Sequence, residues 1–234
     1  MPLLEHLDEL RVRLFRSAVG FLLAFLVASW FAQDVVNWLL LPIREVLPEG
    51  ETLNFIKLTE PMMVYLKAAG IVAVFLGTPF FLFQAWGFVA PGLYRHERRW
   101  VVPFLLVGTS CFYAGGLFAH RVVVPVAARW LIGLGEGFGN NVTLDEAFRF
   151  VSRLVIGMGF VFEMPILVFF LARIGVVTPA TLMKHFRVVV VVILVLCAIV
   201  TPPDPLSMLL MAGPVILLYL LGVFVAWVSL KRSR

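Results

Sequence analysis

Six runs of apolar residues constrain this chain more than any other feature. They cover residues 15–32, 62–88, 100–119, 151–172, 186–201 and 206–228. A bilayer core of about 30 Å takes about 20 apolar residues to cross as a helix. Five runs meet that length or nearly so. The fifth holds 16 residues, about 24 Å of helix, so it predicts local thinning of the bilayer around it. Hydrophobic residues make up 62% of the 234, and charged residues only 14%. A soluble globule of this size has too little interior to hide so much apolar surface, and disorder needs the opposite composition. The fold class is therefore an all-α polytopic membrane protein with six spans, read as one integral membrane domain over residues 1–234.

The net charge of +5 does not indicate nucleic-acid binding, because the basic residues sit in short connections between the runs. With the N-terminus inside, 12 Lys and Arg fall on the inner side and 7 on the outer, against 4 and 9 acids. The positive-inside rule then places both termini in the cytoplasm. Residues 1–14 hold Glu5, Asp8 and Glu9, and the run that follows is too long for a signal-peptide core. The N-terminus reads as retained, and the lack of a transit-like leader points to a bacterial origin. Trp30, Trp38, Trp86, Trp100 and Trp227 fall near span ends, as interfacial aromatic belts do.

Residues 33–61 and 120–150 are read as outer loops. In the first, Val35, Val36, Leu39 and Leu40 predict a short interfacial helix that Pro42 ends, before a turn at Pro48-Glu49-Gly50. In the second, Gly133, Gly135, Gly137 and Gly139 alternate without a strand, a GxGxxG spacing or a Walker lysine, so they read as a flexible loop rather than a phosphate site. Cys111 and Cys197 have no metal-ligand spacing, and the four histidines are scattered. No cofactor or metal is implied.

Four segments could carry function. Leu3, Leu7, Leu10 and Leu14 recur at helical spacing and put an apolar stripe on residues 1–14. Glu9 and Arg13 stand four apart on that helix, in the favourable order for a pair. They are either a self-paired interfacial anchor or part of an acidic site on a basic face. The inner loop PGLYRHERR, residues 91–99, holds Glu97 among three arginines. Glu163 lies mid-run in Phe162-Glu163-Met164-Pro165. A bare charge at that depth costs at least about 2.5–3.5 kcal/mol, and Pro165 removes a backbone N–H and frees the carbonyl of Val161. The spot is a satisfied kink or a polar contact for another membrane group. Asp204 before Pro205 fits an N-cap followed by proline at the first helical position.

His6-Leu7-Asp8-Glu9-Leu10-Arg11-Val12-Arg13-Leu14, the stretch from Phe88 to Arg99, Phe162-Glu163-Met164-Pro165 and Thr201-Pro202-Pro203-Asp204 together resemble the TatC family. TatC is the multi-spanning core subunit of the twin-arginine protein translocase. The four motifs come in the family's order and cover nearly the whole chain. The resemblance implies a cup-shaped, concave six-helix array in the cytoplasmic membrane. It implies a receptor for signal peptides with two consecutive arginines, working with single-span TatA- and TatB-type partners on the proton-motive force and forming homo-oligomers within a complex. It also implies roles for residues. Glu9 and Glu97 match the acids that contact the signal peptide, Arg11 lies in the N-terminal motif, and Phe88 and Arg99 lie in the loop motif. Pro42 and Pro48 match prolines of the first outer loop. Glu163 matches the mid-membrane acid associated with partner-helix contact. Met208, after Ser207, stands where some relatives have Gln.

The chemistry fits such a receptor. A guanidinium is planar, always charged and able to bond a carboxylate through two parallel N–H groups, which lysine cannot do. A site that selects Arg-Arg needs carboxylates at the inner face, and Glu9 and Glu97 are there. The alternative is a proton-coupled small-solute transporter with Glu163 as the proton site; a single deep acid and no repeat-related broken helices speak against it. A membrane enzyme would need a motif such as HExxH or GxSxG, and neither occurs.

Overall fold

The computed structural model describes residues 3–48, 50–89, 101–135, 141–173, 175, 177–201 and 204–231. Among the described residues every named element is a helix, beside one isolated parallel bridge between Asn54 and Thr143. In chain order the helices are α1 (Leu3–Ser29), α2 (Ala32–Arg44), α3 (Glu60–Val89), α4 (Val101–Phe118), a π turn (Ala119–Val123), α5 (Val124–Leu134), α6 (Leu144–Val161), α7 (Met164–Arg173), α8 (Pro179–Lys184), α9 (Phe186–Val200) and α10 (Pro205–Lys231). Among the described residues, five stretches are long and apolar enough to cross a membrane: Leu7–Ser29, Glu60–Phe88, Val102–Leu134, Leu144–Ala172 and Pro205–Val228. The shorter apolar helix Phe186–Val200 is the sixth run.

The contacts divide the chain into two compact units, Met1–Trp38 with Thr59–Ser110, and Leu39–Leu58 with Cys111–Arg234. In the first, α1 lies along α3. Ala28, Ala32 and Ala69 are buried there beneath Phe25 and Val72. Small residues let two backbones approach closely, the usual device where lipid removes any hydrophobic drive between helices. Trp86 stacks on Phe104 at 5.0 Å and is buried. It is a packing residue, not part of an interfacial belt. Trp30, by contrast, is 89% exposed.

In the second unit α10 packs against α7, α8 and α9, and α6 packs against the π turn. Phe112 meets Phe160 edge to face at 5.3 Å. The Tyr219 hydroxyl donates to the Leu182 carbonyl at 3.1 Å and ties α8 to α10. Between α2 and α3, Asn54 bridges the start of α6: its N–H donates to the Val142 carbonyl at 3.3 Å, and its carbonyl accepts from Leu144 at 2.8 Å. The Thr143 hydroxyl accepts from the Glu146 N–H and opens α6.

Several boundaries differ from those read in the sequence. The described part of the segment 1–14 is not separate from the first span; α1 is continuous from Leu3 to Ser29. Pro42 does not end α2, which runs on to Arg44. A proline so near the C-terminus gives up only the bond to the carbonyl of Trp38. The stretch 120–150 is mostly helix. The third span continues through the π turn to Leu134, and α6 starts at Leu144. His120, Arg121 and Arg129 interrupt the apolar run, but the backbone stays helical. Gly137 and Gly139 lie outside the described residues. The six-residue helix α8, which starts at Pro179 behind the cap Thr178, has no counterpart in that reading.

Candidate functional site

The first candidate site is built on α1 and the end of α3. Glu9 and Arg13 share a helix face one turn apart. Arg13 donates from Nε at 3.0 Å and from Nη2 at 2.6 Å, both to Oε1 of Glu9. One carboxylate oxygen thus receives both prongs of a guanidinium. The same guanidinium lies over Gly87 in α3, where a Cβ would collide with Nη1. Glycine at 87 is what allows an arginine from α1 to reach the backbone beside Phe88. Phe88 itself is half-buried near the C-terminus of α3. Glu9, Arg13 and the turn carrying Phe88 are therefore brought together. Arg11 is exposed on α1, and two positions from Glu9 it faces another direction. Glu97 and Arg99 lie outside the described residues. Leu7, Leu10 and Leu14 of the leucine stripe are exposed, Leu14 at 68%, as an apolar face turned to lipid is.

The second candidate site is the break between α6 and α7. Phe162 and Glu163 form a turn, and Pro165 follows one residue later. The helix stops at Val161, the residue whose carbonyl Pro165 cannot serve. The chain recovers at once, because the Glu163 carbonyl accepts from Ile166 at 3.1 Å and from Leu167 at 3.0 Å. The side chain is half-buried. Its Oε1 is buried with no hydrogen-bond partner among the described residues. Phe118 packs on Phe162 at 5.8 Å. Gly222 of α10 sits against the Pro165 backbone so closely that a Cβ would come within 2.8 Å of Pro165 Cα. Beside the break is an apolar cavity of about 230 Å³, lined by Phe160, Val161, Met164 and Val200 among others. A carboxyl oxygen buried with no partner among the described residues is costly to leave unpaired, and a polar group from outside the chain would satisfy it.

Asp204 behaves as an N-cap. Its Oδ1 accepts from the Ser207 N–H at 2.7 Å, and Pro205 is the first residue of α10. Pro48 precedes a tight turn in which Glu51 donates to its carbonyl at 3.1 Å. Both are structural placements. Gly87 and Gly222 were not singled out in the sequence. Their only signal is a glycine in an otherwise bulky span, and their partners lie far along the chain.

A family model described as Sec-independent protein translocase protein (TatC) matches residues 5–214. The protein of that name from Koribacter versatilis (strain Ellin345) is 39% identical over 238 residues, spanning 100% of this chain and 88% of that protein. The one from Aquifex aeolicus (strain VF5) is 36% identical over 237 residues, spanning 100% and 98%. A crystal structure of the twin-arginine translocase receptor TatC superimposes with a TM-score of 0.85 at 36% identity, covering 95% of this chain and 98% of that one. A second, in DDM, gives 0.86 at 37% identity, with 94% and 99% covered. The chain belongs to the TatC family of Sec-independent protein translocase proteins, and is a multi-pass translocase subunit of the bacterial cytoplasmic membrane rather than an enzyme.

Proposed function

We propose that the chain is the receptor of its translocase and reads the two consecutive arginines of an export signal peptide at its cytoplasmic face. Glu9 and Glu97 supply the carboxylates. Arg11, Phe88 and Arg99 lie in the same two motifs and border the site. The observation that carries this reading is the Arg13 fork on Glu9. A carboxylate that takes two N–H groups from one guanidinium has the geometry to take them from another. Arg13 then acts as an internal stand-in that a signal-peptide arginine displaces. The exchange keeps Glu9 paired in both states, so the empty receptor never carries a bare carboxylate in a partly buried place.

Glu163 serves a separate role. Its buried Oε1 accepts a hydrogen bond or pairs with a polar group on the membrane helix of a TatA- or TatB-type partner. Those partners then use the proton-motive force to move folded cargo. The test of the receptor role is binding of an Arg-Arg peptide against its Lys-Lys twin. Loss of that preference in Glu9→Gln and Glu97→Gln proteins supports it; an unchanged preference contradicts it.

A further inference from the structure

The first compact unit carries an open groove that the signal-peptide site does not use. It has a volume of about 520 Å³ and runs between α1 and α3. Val19, Leu23 and Ala24 form one wall, and Leu76 and Phe80 the other. Glycine at position 20 lets the Phe80 ring lie close against α1, since a Cβ there would be 2.6 Å from it. Arg16 stands at one end. It is exposed, and among the described residues it makes no ion pair and no hydrogen bond.

Depth makes this arginine unusual. Trp30, the exposed aromatic at the far end of α1, marks the opposite interface. Fourteen residues separate the two, a rise of about 21 Å, whereas the hydrocarbon core is about 30 Å thick. The Arg16 backbone therefore lies inside the hydrocarbon of its own leaflet. A guanidinium based there must reach the headgroups or draw a counter-charge to itself. From Arg16 to Ala24 the groove climbs about 12 Å, close to the depth of one leaflet. Its apolar walls match an acyl chain and its basic mouth matches a phosphate.

We propose that this groove is a binding site for one anionic glycerophospholipid, with an acyl chain along α1 and α3 and its phosphate on Arg16. The occupant is lipid because lipid supplies both halves of the match in one molecule. A neutral zwitterionic lipid fills the walls but leaves no net charge to offset the arginine.

The test is native mass spectrometry of the full-length protein, delipidated in detergent and titrated with phosphatidylglycerol or phosphatidylcholine of identical chains. The wild type retains phosphatidylglycerol about fivefold better, the contribution of one basic residue near a charged headgroup. Arg16→Gln removes the preference, Arg16→Lys keeps it, and Ala24→Phe lowers retention of both lipids together. Equal retention by the wild type overturns the proposal. So does a preference that survives in Arg16→Gln. A photoreactive residue at Leu23 in whole membranes labels phospholipid; labelling of a protein segment instead also overturns it.

Discussion

Arg13 closes on Glu9 with two nitrogens on one oxygen, at 3.0 and 2.6 Å, and Gly87 is the position that gives it room. An exposed pair four residues apart on a helix contributes only about 0.3–0.5 kcal/mol, and this one is about three-quarters buried, with side chains 21% and 26% exposed. It is strong enough to hold Glu9 and weak enough to exchange. Arg13→Gln is expected to tighten Arg-Arg peptide binding by at least about twofold, the worth of even an exposed pair. Peptide titration by fluorescence anisotropy reads this directly, and weaker binding would show that Arg13 helps rather than competes.

Gly87→Val is expected to push Arg13 off Glu9, because the new side chain occupies the guanidinium's place. Its effect on peptide affinity should follow that of Arg13→Gln in direction, and the two together should add nothing beyond either alone. An additive double mutant would separate Gly87 from the pair.

The Glu9–Arg13 pair was legible in the sequence, because i,i+4 spacing fixes a shared face. Glu163 was legible as a lone acid in an apolar run, and Asp204 as a cap from its following proline. The contacts of Gly87 and Gly222 were not legible, since each depends on a residue brought near only by packing. The helical stretch 124–134 was hidden by His120, Arg121 and Arg129. A π turn adds one residue to a helical repeat, so a period of 3.6 read across Ala119–Val123 loses its phase. Thr143 and Glu146 did offer a readable signal, the threonine and glutamate of a capping box.

Glu163→Ala is expected to cut crosslinking to single-span partners and export by about tenfold, the scale of one lost hydrogen bond to a buried charged or polar group. Glu163→Gln, which keeps an acceptor of the same size, should lose less. Site-specific crosslinking in membranes checks both. Normal partner crosslinks in Glu163→Ala would remove this residue from partner contact.

Asp204→Ala leaves the Ser207 N–H without its acceptor and is expected to cost about 1 kcal/mol of stability. Asp204→Asn should cost little, as asparagine caps equally well. Thermal unfolding in detergent, followed by circular dichroism, distinguishes the two. Gly222→Leu should be worse than either. It forces a side chain into the Pro165 backbone, at about 1–3 kcal/mol for an overpacked core.

The most direct measurement is the Kd of one signal peptide in Arg-Arg and Lys-Lys forms, against the wild type and the Glu9→Gln, Glu97→Gln and doubly substituted proteins. The wild type should favour Arg-Arg by at least about tenfold, the worth of a charge-assisted bond that lysine makes poorly. Each single substitution should shrink that ratio, and the double should bring it to about one. A Lys-Lys peptide that binds the wild type as tightly as its Arg-Arg twin would contradict the account.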